Sequence, residues 1–206
     1  MSPPIRFSLR FIAACILLML LLHQYGELFI QPLLPLYEWE ISTIADQYQI
    51  LSFGLDNEGL DRVVRLKVTL AKPVYIAGKF LIPDARGIAN ASTTTGHIWQ
   101  MTIVCLAMIF VWPTPHVRTY FIRLAIALPV LALLTMLDIP LALLASLWDL
   151  IVQNMAPDTF SPLILWNGFL EQGGRLALGI VGGMLAIWSA NFLMSGRLGK
   201  KIINNI

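Results

Sequence analysis

Charge is what this sequence has least of. Only 13% of its 206 residues are Asp, Glu, Lys or Arg, about half the share in a soluble domain. That leaves too little polar surface to cover a water-soluble globule. The net charge of +2 is small and not concentrated in one block, so no basic stripe stands ready to displace counterions from a nucleic acid. Cysteine is nearly absent. Cys15 and Cys105 each lie inside an apolar run with no CxxC partner and no nearby His, which argues for buried, inert thiols rather than a disulfide or a zinc site. Inverted repeats and a broken polar helix pair are also missing, and with them any obvious transport pathway. What the chain has in abundance is apolar surface: 57% of residues are hydrophobic and the mean hydropathy is +0.73.

These residues form long runs, and the expected fold class is an α-helical integral membrane protein. It has about four transmembrane helices and a small periplasmic β-rich insertion between helices 1 and 2. Arg6 and Arg10 precede an apolar run that lacks a small-x-small cleavage site, so residues 11–30 read as an uncleaved signal anchor of spanning length. A second span covers residues 98–113 and ends at Trp112-Pro113-Thr114-Pro115, where two prolines and an aromatic mark a helix end. A third covers 120–137, with a possible kink at Pro129 and a break at Asp138-Ile139-Pro140. Residues 138–161 form an outer interfacial or re-entrant segment. The last helix, 162–195, starts at Pro162 after Ser161 and carries an outer extension. Three spans plus a re-entrant segment is the competing count.

Basic residues flank alternate membrane ends: Arg6 and Arg10, then His116, Arg118 and Arg123, then Arg197, Lys200 and Lys201. The positive-inside rule puts residues 1–10, the loop 114–119 and the tail 196–206 in the cytoplasm. The protein is then multi-pass with both termini inside, and the module at 31–97 lies outside. Within it, residues 32–40 are amphipathic and aromatic, suited to the headgroup level. Strands are predicted at 48–55, 62–70 and 74–80, with a turn at Asp56-Asn57-Glu58-Gly59. Such a module is too small to hold a catalytic cleft of its own.

The candidate sites are few. His23 and His97, with Glu27, Glu38 or Glu40, are weak candidates for copper or zinc; interfacial histidines without a ligand role are the more economical reading. Ser92-Thr93-Thr94-Thr95 before Gly96 and His97 is a hydroxyl cluster, but no base is positioned across from it. A helix cap from Thr94 or Thr95 is the preferred reading. Asp138, Glu171 and Arg175 form structural ion pairs tying the third and fourth helices, with Glu171 and Arg175 spaced i,i+4; Asp149 stands near the same boundary. Gly173, Gly174, Gly179, Gly182 and Gly183 make a small-residue surface that lets another helix approach closely. That helix is either internal or belongs to another subunit.

Several short motifs resemble the exosortase-H-associated membrane protein family of Gram-negative bacteria. They are Leu34-Pro35-Leu36-Tyr37-Glu38-Trp39-Glu40, Ser92 through His97, Trp112-Pro113, Leu137-Asp138-Ile139-Pro140 and Asn167 through Arg175. The resemblance implies an inner-membrane accessory that works beside a protein-sorting transpeptidase and has no established chemistry of its own. It also implies that the membrane is the bacterial inner membrane and that the outer side is the periplasm. The chain does not resemble the transpeptidase itself, because Cys105 has no neighbouring Gly or Arg to activate it.

The expected function is therefore a non-enzymatic accessory or scaffold subunit, with no cofactor and no nucleic-acid partner. Membrane lipid and a larger membrane protein are the expected partners, in a homo- or hetero-oligomer. The alternatives are a supernumerary subunit of a copper-dependent ammonia or methane monooxygenase, and a membrane-embedded transpeptidase or hydrolase using Cys105 or the Ser92–Thr95 hydroxyls.

Overall fold

A computed structural model describes residues 3–203 apart from 77, 85–86, 115 and 158. Ala77, Pro115 and residues 204–206 of the expected tail lie outside the described residues, as do the side chains of Arg197, Lys200 and Lys201. The protein is mostly helical. In chain order it contains α1 (Pro3–Ile30), α2 (Leu34–Ile44), five strands, α3 (Thr95–Val111), α4 (Val117–Met155), α5 (Pro162–Phe169) and α6 (Arg175–Ile203). Three helical runs are long and apolar enough to cross a membrane: Pro4–Ile44, Val117–Met155 and Pro162–Met194. The shorter apolar helix α3 has 17 residues.

One segment gains a defined shape, and one helical expectation needs correction. The 32–40 segment is helix, with Pro32 and Pro35 in first-turn positions where a missing N–H does no harm. It turns Tyr37 and Ile41 inward. The break at Asp138-Ile139-Pro140 does not occur: α4 runs 39 residues straight through Pro129 and Pro140. Proline frees a carbonyl but does not end a helix whose neighbours supply polar partners. Pro140 leaves the Met136 carbonyl without its i−4 donor, and the adjacent Leu137 carbonyl accepts from Trp166 Nε1 at 2.8 Å.

The strands are β1 (Tyr48–Glu58), β2 (Asp61–Leu70), β3 (Val74–Ile76), β4 (Lys79–Leu81) and β5 (Ala89–Thr94). β1, β2 and β5 make an antiparallel sheet in the order β1-β2-β5, with Leu55 opposite Val64 and Leu66 opposite Ala91. The first two strands are where the sequence places them, but their turn moves to Gly59 and Leu60, with Gly59 at φ 63°. The third member is not the 74–80 segment. That stretch folds into a separate two-stranded hairpin, β3-β4, reversing at Gly78 (φ 84°), a left-handed conformation open to glycine. The vacant place beside β2 goes to β5, so Ser92, Thr93 and Thr94 are strand residues and only Thr95 enters the helix. Thr94, the last residue of β5, directly precedes the first residue of α3, the position from which the expected cap would act.

The chain folds as two compact units that are interleaved in sequence. The first comprises Met1–Gln24, Trp99–Leu134 and Arg175–Ile206. Its core is Cys105 and Ile109 of α3, Ala127 and Leu131 of α4, and Ala186 and Ile187 of α6. The second comprises Tyr25–Ile98 and Thr135–Gly174. In it, β2 buries Val63, Val64, Leu66 and Val68, and α4 buries Ile139, Leu143 and Leu147.

Candidate functional site

Within the second unit, the polar groups sunk deepest gather around Tyr37. This residue is fully buried, and its hydroxyl lies against Thr135 and within electrostatic reach of the Asp138 and Glu40 carboxylates. Thr135 and Asp138 follow one another at helical spacing on α4 and are themselves buried. Neither Tyr37 Oη nor Glu40 Oε2 finds a partner of full hydrogen-bond geometry; Thr135 is near enough to influence the phenol without completing a bond to it. Buried polar groups are costly unless satisfied, so this seam of Tyr, Thr, Asp and Glu is an unusual thing to place between apolar helices. It holds no thiol, amine or imidazole. Nothing in it is set to act as a nucleophile toward an acyl or phosphoryl group.

A cleft of about 270 Å³ lies nearby in the chain, lined by Ile44, Ala45, Gln47, Tyr48, Leu144, Trp148 and Leu163. Ligand pockets usually exceed about 300 Å³, and this one is walled mainly by aliphatic and aromatic groups. Burial pushes the Tyr48 phenol above its ordinary value, and the Gln47 side chain offsets part of the rise. Gln47 is not placed for a proper bond, and Tyr48 Oη is left without one.

The sheet offers its edges. β1 is 11 residues long, pairs with β2 along one side, and has no strand on its other side among the described residues. Its exposed face carries Leu51 at a register shift between Ile50 and Ser52. The turn end is held by charge: Arg65 bridges Asp56 at 3.0 Å and Glu58 at 3.3 Å, and Ser92 Oγ donates to Glu58 at 2.9 Å.

In the first unit, glycines set the helix spacing. A Cβ at Gly179 would stand 2.7 Å from the Met101 carbonyl, and one at Gly183 would stand 2.9 Å from Met108 Cβ, so α6 touches α3 at the backbone. Gly182 faces Leu134 and Val130 of α4. In this region the small-residue surface meets internal helices. Gly173 and Gly174 behave differently. They belong to a kink, Leu170–Gly174, where Gln172 and Gly173 leave helical geometry, Gly173 takes φ 103° and Gly174 packs on Phe169.

That turn also removes the premise for pairing Glu171 with Arg175, since i,i+4 contact presumes a continuous α-helix. Exposed Glu171 accepts a hydrogen bond from Asn167 Nδ2 at 2.9 Å. Arg175 and Asp138 are buried to 3% and 2% exposure, and neither is without a partner.

The remaining sequence candidates are scattered. His23 and His97 are exposed, and Glu27 is taken by an ion pair with Arg62. No group of three or more His, Cys, Asp or Glu that could hold a metal ion occurs among the described residues. Cys105 is fully buried in the first unit's core, with its sulfur 3.7 Å from where a Gly182 Cβ would stand. A thiol walled in by aliphatic groups is inert.

Sequence reasoning missed Arg123. It is 2% exposed and on α4; its Nη1 donates to the Trp112 carbonyl at 3.0 Å and its Nη2 to that of Pro113 at 3.5 Å. It thus caps the C-terminal carbonyls of α3, where a cation complements the helix dipole. The available signal was its position inside an apolar run, where an ionisable residue always needs a reason.

The chain matches no family model, no curated protein and no solved structure.

Proposed function

We propose that this protein is a non-enzymatic accessory subunit of the bacterial inner membrane, docking a larger membrane protein through its water-side sheet. The free edge of β1 carries the reading. An 11-residue edge strand with no proline or lysine presents a row of unpaired backbone groups, which proteins normally blunt or cover. An extended segment of a partner laid along it would satisfy them by strand addition. The resemblance noted in the sequence would make that partner a protein-sorting transpeptidase.

The proposed topology has four spans with both termini cytoplasmic. α3 is the fourth, its 17 residues falling at the short end of the roughly 17–25 that cross a bilayer.

The test is purification of the tagged full-length protein from native membranes in mild detergent, with mass spectrometry of what accompanies it. Wild type should retain one membrane protein in fixed ratio. Leu51→Lys, which adds a charged gatekeeper to the edge, should lose it while remaining folded. A lone wild-type chain, or a partner indifferent to Leu51→Lys, would overturn docking through β1.

A further inference from the structure

The interleaving of the two units hides a separation of charge. Arg6, Arg10, Arg118, Arg123, Arg175, Arg197, Lys200 and Lys201 are eight of the 14 basic residues, and all fall in the first unit. None of the 12 acidic residues does. Along the chain the charge looks evenly spread; in the fold, one unit is wholly cationic. Buried Arg123 therefore has no carboxylate in its own unit to answer it, and its neighbours there are two carbonyls and the Tyr120 ring, 6.0 Å from Cζ to the centroid. Its Nε–H has no acceptor among the described residues.

An open cleft of about 510 Å³ lies beside it, lined by Arg10, Ala13 and Ala14 of α1, Phe110, Val111, Pro113 and Thr114 at the end of α3, and Tyr120 of α4. Two of these lining residues, Pro113 and Tyr120, also touch Arg123. Arg10 makes no hydrogen bond or ion pair among the described residues. Arg10 stands at the rim, Thr114 adds a hydroxyl and Ala13 and Ala14 an apolar floor, while Arg123 adds a buried positive charge behind the wall formed by Pro113 and Tyr120; a phosphate with attached chains would fill such a space.

We propose that this cleft is a binding site for the headgroup of an anionic phospholipid. A charged guanidinium removed from water requires a counter-charge or full hydrogen bonding, and guanidinium is the group best shaped for phosphate oxygens. Basic pockets between membrane helices bind such headgroups. The acyl chains would lie on the exposed apolar surface of α1, where Ile12, Ile16 and Leu17 are more than half exposed. The proposal rests on the apolar helices standing in a bilayer and is independent of any protein partner.

The test uses the full-length protein purified in mild detergent, stripped of lipid and titrated with phosphatidylglycerol or phosphatidylcholine, with bound lipid counted by native mass spectrometry. Wild type should bind one phosphatidylglycerol in preference to phosphatidylcholine. Arg10→Gln should weaken it about fivefold, the usual worth of one basic side chain near an anionic headgroup. Arg123→Gln removes a charge behind the wall rather than a direct contact, and should also weaken it about fivefold. Ala14→Phe, which fills the cleft without changing charge, should abolish it. Arg118→Gln removes an exposed charge that does not line the cleft and should match wild type. If Arg123→Gln fails to fold, Arg10→Gln and Ala14→Phe carry the result. Equal binding of the two lipids, equal loss in Arg118→Gln, or displacement of the lipid by millimolar inorganic phosphate would each overturn the site.

Discussion

Single side chains here differ in how much freedom their surroundings leave them. Gly179 has none: a methyl group would press on the Met101 carbonyl, which belongs to backbone and cannot swing aside. Gly179→Ala should destabilise the protein by about 1–3 kcal/mol, the range for overpacking, read as a lower unfolding midpoint in detergent. Gly168 has nothing within 4 Å of a new Cβ and lies in α5, so Gly168→Ala should be neutral or stabilise by up to about 1 kcal/mol. Tyr48 offers a contrast in chemistry. Its hydroxyl is buried without a bond, so Tyr48→Phe should cost little, within about 1 kcal/mol of wild type. Because burial raises the Tyr48 pKa, the fold favours the neutral phenol. That stability is present below the unfolded value near pH 10 and is lost as pH rises through the folded one. Tyr48→Phe should therefore show a shallower alkaline loss of stability than wild type. Gly179, Gly182 and Gly183 were legible in the sequence as a contact surface, whereas Gly173 and Gly174 serve a kink instead; the burial of Arg123 and Tyr48 was not legible, since it depends on neighbours far along the chain.

Elements show where local pattern suffices and where it fails. Strands β1 and β2 were legible because alternation and an adjoining turn are local signals. The identity of the third strand was not, because β5 joins β2 across a long intervening stretch and its Ala-Asn-Ala-Ser-Thr-Thr sequence has weak strand character. α4 was misjudged because Pro140 is a strong local breaker whose effect was overridden by its helical surroundings. The turn between α5 and α6 makes the reverse point. Gly173 sits at φ 103°, a conformation that strains any residue with a Cβ by about 1–3 kcal/mol. Gly173→Ala should lower the unfolding midpoint while Gly168→Ala, in the preceding helix, does not. A different outcome would mean that the kink can relax into continuous helix.

For the molecule as a whole, the proposed orientation makes a clear prediction. With the sheet outside and the basic ends inside, a membrane-impermeant maleimide should label Gln49→Cys once the outer membrane is opened. Arg118→Cys should react only after the inner membrane is lysed. The reverse pattern would invert the topology. The native thiols give little background on this reading: Cys105 is fully buried and Cys15 partly so. The cationic unit adds a second consequence, because like charges gathered in one unit repel one another and the proposed anionic lipid would offset that repulsion. Lipid-stripped protein should be less stable than protein with phosphatidylglycerol restored, by an amount set by how far the lipid exceeds its dissociation constant.

The medium and the rough partition of the chain follow from the linear order of residues. Scarce charge and long apolar runs decide both, because transfer into an apolar phase sums residue by residue and needs no knowledge of contacts. The small β region was likewise readable from alternation. Folding in three dimensions was needed to show which strand completes the sheet, that the α6 glycines meet α3 and α4, and that Cys105 is a core residue. It also gathers charges spread evenly along the chain into an acid-free unit with an arginine buried inside it. These are properties of segments brought together from distant parts of the sequence, and pairwise proximity is not additive over residues in the way that hydropathy is.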